Sequence, residues 1–180
     1  MKIRVLLFSL LSFFIVLCVT SNAIEITVPR DTPVEVFFSP QDSDTETIIR
    51  EISNAKSEIH VQACPFIPAS IAGALVTAHR RGVKVEIIIG KCTKDEENTS
   101  AAFLSNAGLP TYMNNKDAMS QGDIIFIDGE TVIAVSLDVT KTDDDRKVGE
   151  VLIVKNREVV KAHIDDWQKL KGRSVLYGKR

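Results

Sequence analysis

The sequence predicts one α/β domain built on a mixed, largely parallel sheet flanked by helices. Short β-branched runs alternate with helical segments that are apolar on one side only, the pattern of strands joined through crossover helices. Pro40, Pro68, Gly82 and Gly108 fall at the ends of these segments. A length of 180 residues suits one domain with a real core and is short for two.

The elements follow in order. Val34-Glu35-Val36-Phe37-Phe38 reads as a strand ended by Ser39-Pro40. A helix follows from about Ser43, with Ile48, Ile49, Ile52 and Ala55 as its stripe and Asp44 and Glu46 in its first turn, where the helix dipole favours acids. Ile59 to Cys64 is a second strand. The next helix has Pro68 at its entry, Ile71, Ala74, Leu75 and Ala78 as its stripe, and Gly82 as its stop. Val83 to Ile89 is nearly unbroken β-branched sequence apart from Lys84 and Glu86, as in a strand covered on both faces. A third helix is expected from Glu97 to Ala107, ending at Gly108. Ile124-Ile125-Phe126-Ile127 and Thr131-Val132-Ile133-Ala134-Val135 flank Asp128-Gly129-Glu130, a hairpin signal. Val151 to Val154 is the last strand expected, and a closing helix carries Val160, Ile164 and Trp167 on one face.

The first residues carry Lys2 and Arg4, then an apolar run from Val5 to Val19, then Ser21-Asn22-Ala23, the order of a secretory signal peptide. The expected organisation is a signal peptide over 1–23 and a domain over 24–180, with cleavage near Ala23 and a periplasmic or secreted location. The small-residue site favours cleavage over a retained anchor. Leu17, bulky where a small residue usually precedes a lipidated cysteine, argues against a lipoprotein at Cys18.

Cleavage removes two basic residues and no acidic one, so a net charge of −2 becomes −4, with 20 basic against 24 acidic residues. That balance gives no global attraction to nucleic acid or anionic lipid. Export places Cys64 and Cys92 where a disulfide persists, and each ends an apolar strand-like run. Bridged and unpaired thiols both fit the sequence. The cysteine spacing indicates no metal site, and no cofactor is expected. Lys141 to Lys147, with Asp143, Asp144 and Asp145, reads as a solvated loop without the ligand spacing or glycine of a calcium loop.

Phe38-Ser39-Pro40, Ala55-Lys56-Ser57-Glu58-Ile59, Arg80-Arg81-Gly82-Val83-Lys84-Val85, Asn106-Ala107-Gly108-Leu109-Pro110 and Asp166-Trp167, in this order, resemble the phospholipase D-like superfamily. The likeness is to its small, exported, single-motif bacterial nucleases and runs over the whole mature chain. The resemblance implies a His-x-Lys motif, an Asp five residues beyond the lysine, and a downstream Gly-Ser-x-Asn-like segment. The histidine attacks phosphorus, a second histidine protonates the leaving oxygen, and the lysines neutralise the phosphate. In single-motif members a homodimer supplies the second set, so a homodimer is expected.

The matching segment here is Ser120-Gln121-Gly122-Asp123-Ile124-Ile125-Phe126-Ile127-Asp128. Asp128 is kept, but Gln121 stands at the nucleophile position and Asp123 at the lysine position. Downstream, Ser136 is kept and Asp138 replaces the asparagine. An amide is no phosphorus nucleophile, and a Lys to Asp exchange shifts the local charge by two units. No catalytic set is intact. His60, His79 and His163 lack the lysine partnership and read as cap, surface or core-edge residues.

The expected function is therefore a non-catalytic or strongly impaired phospholipase D-like exported protein, a pseudoenzyme in a binding role with an unknown ligand. The alternative is a phosphodiesterase of endonuclease or phospholipase D type. Asp123, Asp128, Asp138 and Glu150 are read either as an acidic pocket for a cation or basic peptide or as an abandoned site. Nucleic acid or phospholipid is disfavoured by those acids, although Arg80, Arg81, Lys84 and the tail from Lys169 to Arg180 offer cations.

Overall fold

A computed structural model describes residues 26–38, 43–64, 67–90, 100–114, 122–137 and 148–178. The strands are β1 (Val34–Phe38), β2 (Glu58–Ala63), β3 (Lys84–Gly90), β4 (Thr111–Asn114), β5 (Gly122–Ile127), β6 (Thr131–Leu137), β7 (Val148–Lys155) and β8 (Val175–Leu176). The helices are α1 (Ser43–Asn54), α2 (Ala69–Arg80), α3 (Ala101–Asn106) and α4 (Arg157–Gly172). All eight strands form one sheet in the order β1-β7-β6-β5-β2-β3-β4-β8.

Helices cover both faces. Ile48 and Ile52 of α1, Leu75 and Ala78 of α2 and Leu104 of α3 share one cluster with Val61, Ile87, Ile125, Ile133 and Ile153 of the sheet. On the other face, Val160, Trp167 and Leu170 of α4 pack on Ile88, Phe126 and Val132. The Trp167 indole is fully enclosed and donates to the Val61 carbonyl at 3.1 Å, tying α4 to the sheet centre. Asn156 caps α4 by accepting from the Glu158 and Val159 amides at 2.9 and 3.1 Å. Gly82 closes α2 at φ +94°, a backbone state in which a side chain is strained.

The α/β class, the mixed sheet and the flanking helices are those expected, but the balance of pairings is not. Only β2 with β3 and β3 with β4 run parallel. The other five pairings are antiparallel, so "largely parallel" is corrected to mostly antiparallel. The reason lies in β1. Alternation along the chain pointed to parallel pairing through crossovers, whereas β1 goes to the far edge and pairs antiparallel with β7, Phe37 opposite Val151, and β5, β6 and β7 add an antiparallel run beside β2. The polar β4 and the two-residue β8 carry no apolar alternation and were not foreseen. The described part of the third helix is Ala101–Asn106, and residues 97–99 lie outside the described residues.

Candidate functional site

Strand alternation divides β5 between the two faces. Ile125 and Ile127 pack with α1 and α2, and Asp123 has their parity; Ile124 and Phe126 face the α4 side, and Gly122 has theirs. Asp123 is 6% exposed, and its Oδ1 accepts the Cys64 amide at 2.9 Å. The position matching the family's lysine is thus a buried carboxylate that closes the end of β2. Cys64 is itself disulfide-bonded. Cys92, Gln121, Asp138 and the Asp143–Asp145 run lie outside the described residues.

Gly122 is required by close approach: a Cβ there would stand 2.9 Å from the Val135 carbonyl oxygen. One strand over, the exposed Ser136 Oγ accepts the Glu150 amide at 2.9 Å, beside a register shift between Val135 and Leu137. The hydroxyl supplies an acceptor where the ladder is interrupted. Gly122, Asp123, Ser136 and Glu150 line one groove of about 520 Å³ with Val36, Ile124, Ala134 and Leu152.

Asp128 is elsewhere. It follows β5 at the opposite end, five residues and about 17 Å of strand from Asp123. It holds φ +54° in the hairpin turn before Gly129. Its carboxylate accepts from the Lys56 amide at 2.9 Å, the Ser57 amide and hydroxyl at 2.8 Å each, and the Glu58 amide at 3.0 Å. Burial opposes ionisation, and the bonds from Ser57, Glu58 and Lys56 outweigh it, holding the carboxyl below the usual aspartate range. Asp128 therefore latches the hairpin to the α1–β2 connection. The acidic pocket read from Asp123, Asp128, Asp138 and Glu150 does not form as such, because only Asp123 and Glu150 share the groove among the described residues.

The histidines stand apart from the groove. His60, 4% exposed on β2, lies under α4 with its ring 4.6 Å from that of Trp167. Its Nε2 meets Glu58 at 3.2 Å and its Nδ1 is 3.6 Å from Glu86. Glu86 is paired with Lys84 at 3.2 Å and with Lys171 of α4. Burial opposes charge on both Glu86 and Lys171; the pairing outweighs it, holding the carboxyl below and the amine above their ordinary ranges. The only sequence signal for this buried cluster was Lys84 and Glu86 interrupting an apolar strand. His163 is exposed, its ring 6.0 Å from that of Phe126. His79 sits near Gly108.

The cations read as a candidate nucleic-acid surface are partly spent. Arg81 donates to the Ile52 carbonyl at 3.3 Å, and Lys84 and Lys171 both serve Glu86. Among the described residues no three His, Cys, Asp or Glu side chains are placed to hold a metal ion, and no helix is long and apolar enough to cross a membrane. Chemically, the described lining of the groove offers a carboxylate, a hydroxyl and backbone groups, and among the described residues no cation joins it to stabilise negative charge developing on a phosphoryl group.

An eight-stranded mixed sheet between helices, with a strand–Asp-Gly–strand hairpin carrying Asp123, Asp128 and Ser136, is a phospholipase D-like fold. The chain belongs to the family described as "Cardiolipin synthase, PLD-like domain", which matches residues 48–171. It is 28% identical over 134 residues to a protein of Rickettsia felis called phospholipase D, covering 74% of this chain and 67% of that one. A phospholipase D of Rickettsia typhi is 23% identical over 144 residues, covering 80% of this chain and 71% of that one. Among solved structures, the phospholipase D family member Nuc from Salmonella typhimurium superposes with a TM-score of 0.71 at 25% identity, over 83% of this chain and all of that one. NucT from Helicobacter pylori gives 0.69 at 18% identity, over 82% of this chain and all of that one.

Proposed function

We propose that this chain is an exported phospholipase D-like protein that binds rather than hydrolyses, working in the periplasm or outside the cell after losing residues 1–23. One observation carries the reading. The side chain at the position of the phosphate-neutralising lysine is Asp123, buried and bonded to the Cys64 amide, so it presents no cation to a substrate. Gln121 at the nucleophile position agrees with this, because an amide forms no phospho-enzyme. The homodimer of single-motif relatives belongs to the same proposal, two copies meeting where β5 begins and β6 ends. A bridge between Cys64 and Cys92 is proposed for the end of β2, since β2 and β3 are neighbours and Ala63 lies opposite Ile89.

The family and the relatives called phospholipase D favour a second reading, a phosphodiesterase acting on nucleic acid or phospholipid. The test is turnover by the purified mature protein, with and without divalent metal, on bis(p-nitrophenyl) phosphate, DNA, RNA and phosphatidylcholine vesicles. No turnover is expected on any of them. Hydrolysis abolished by Asp123→Ala or Ser136→Ala, or a phospho-adduct trapped on the wild-type chain, would overturn the proposal. Sedimentation equilibrium of the same sample tests the dimer.

A further inference from the structure

The lead into β1 runs beside α4. The Lys155 amide donates to the Pro33 carbonyl at 3.1 Å, and the Asn156 side-chain amide donates to the Thr32 hydroxyl at 3.4 Å, which pins the lead where α4 begins. Farther back along the chain, Ile26 and Thr27 line a groove of about 670 Å³ together with Glu158, Lys161, Ala162, Asp165, Asp166 and Lys169 of α4. These six recur at helical spacing, in a stripe next to the buried one of Val160, Trp167 and Leu170, and the stripe extends about 16 Å along the helix axis. Ile26 is half-buried there and Thr27 is exposed.

We infer that this groove seats the first residues of the mature chain, Ile24 and Glu25, with the α-ammonium that cleavage creates on Ile24 held by the carboxylates of Asp165 and Asp166. The inference rests on the loss of residues 1–23 proposed above. Length selects the occupant. Cleavage after Ala23 leaves two residues before Ile26, so the new terminus lies within about 7 Å of a residue already in the groove, well inside the span of the stripe. Charge agrees with this. Glu158, Asp165 and Asp166 against Lys161 and Lys169 leave the described lining at −1, which one added cation balances. In an extended chain Ile24 takes the side of Ile26, and Glu25 takes the other. Before cleavage the Ile24 nitrogen is a neutral amide with 23 residues attached, so the contact belongs to the mature chain alone. Because α4 also carries Trp167, bonded to the Val61 carbonyl, the new terminus fastens the helix that covers the sheet centre, and signal removal completes its packing.

The experiment compares the mature chain beginning at Ile24 with the same chain behind a neutral Gly-Ser-Gly-Ser extension, each with and without the double change Asp165→Asn and Asp166→Asn. Both aspartates are exposed, so the double change leaves the fold intact. The α-amine of the mature chain, labelled at Ile24 and titrated by NMR, is expected at about 8.3–8.7, above the ordinary value of about 7.7–8.0 and in keeping with an exposed pair. The double change is expected to return it to the ordinary value. The contact is fully present below that ordinary value and is lost as pH rises through the higher folded one. At about pH 6.5 the mature chain should therefore melt roughly 1–4 °C above the extended chain, and by about pH 9.5 the two should coincide. The double change should erase the difference at the lower pH. An amine titrating in its ordinary range, or a melting difference that survives the double change, overturns the inference. Export without loss of residues 1–23, read from the mass of the exported protein, would overturn the proposed organisation and leave the titration of the Ile24 chain unaltered, so the two failures are distinguishable.

Discussion

Replacing Asp128 tests whether the one kept position of the first motif segment serves structure. Its carboxylate holds three backbone amides and a hydroxyl from Lys56, Ser57 and Glu58, and its backbone sits at φ +54°. Truncation to Ala removes all four bonds. Lys56 and Ser57 are exposed, so water replaces much of what is lost there, whereas the Glu58 amide is partly buried. Taking one to two charge-assisted bonds as the net loss gives about 2–3 kcal/mol. Forcing Ala into the left-handed region adds about 1 kcal/mol. The expected total of about 3–4 kcal/mol corresponds to a fall in Tm of roughly 6–15 °C for a domain of this size. Asp128→Gly loses the same bonds without the strain and is expected to be about 1 kcal/mol less damaging. Urea and thermal unfolding followed by circular dichroism give both numbers. The carboxyl's depressed pKa adds a pH signature. Its contribution is fully present above the unfolded value of about 3.9 and is lost as pH falls through the lower folded value. Wild type should therefore lose stability below about pH 4 more steeply than Asp128→Asn. Ala and Gly variants both within about 0.5 kcal/mol of wild type would refute the latch, since ordinary surface changes fall in that range.

Three further outcomes are expected. Gly122→Ala drives a methyl into the Val135 carbonyl and should cost about 1–3 kcal/mol in urea unfolding, whereas Gly172→Ala, with open space around it, should not. Lys171→Met leaves Glu86 buried with less compensation and should destabilise by about 1–3 kcal/mol. It should also flatten stability at both pH extremes, because the wild-type pair loses its contribution as acid protonates Glu86 below about 4.3 and as alkali deprotonates Lys171 above about 10.4. Asp123→Ala orphans the buried Cys64 amide and should cost about 1–3 kcal/mol, with Asp123→Asn recovering most of it. Equal unfolding midpoints for the Ala and Asn variants would show that the carbonyl acceptor is immaterial.

Local sequence chemistry located most elements because the signals were strong where the packing agreed with them. Pro68 and Gly82 bracket α2, Asp128-Gly129 turns β5 into β6, and Val160 and Trp167 mark the buried stripe of α4. Sheet order was not legible. The choice of β7 over β2 as the partner of β1 is made by three-dimensional closure of the sheet, to which no residue of Val34–Phe38 is a guide. The candidate site divided in the same way. Spacing assigned Asp123, Asp128 and Ser136 to their motif positions, yet strand alternation alone did not reveal that Asp123 turns inward to the Cys64 amide while Asp128 sits at the far end of β5. Carboxylates close in motif order suggested one pocket, and the length of β5 puts Asp128 at the end away from Asp123 and Glu150.

The exchange at position 123 has two physical consequences that reinforce each other. A lysine there would place its ammonium several ångströms beyond the sheet, because four methylenes carry the charge away from the backbone. An aspartate has one methylene, so its charge stays at the strand, where it accepts the amide that ends β2. The same change that removes the phosphate counter-charge therefore also stitches β2 to β5 beside the disulfide-bonded Cys64. Reverting to lysine would withdraw that acceptor and ask an ammonium to occupy a site 6% exposed, an unfavourable burial unless the end of β2 opens. The catalytic charge and the present strand closure are thus alternatives at one position.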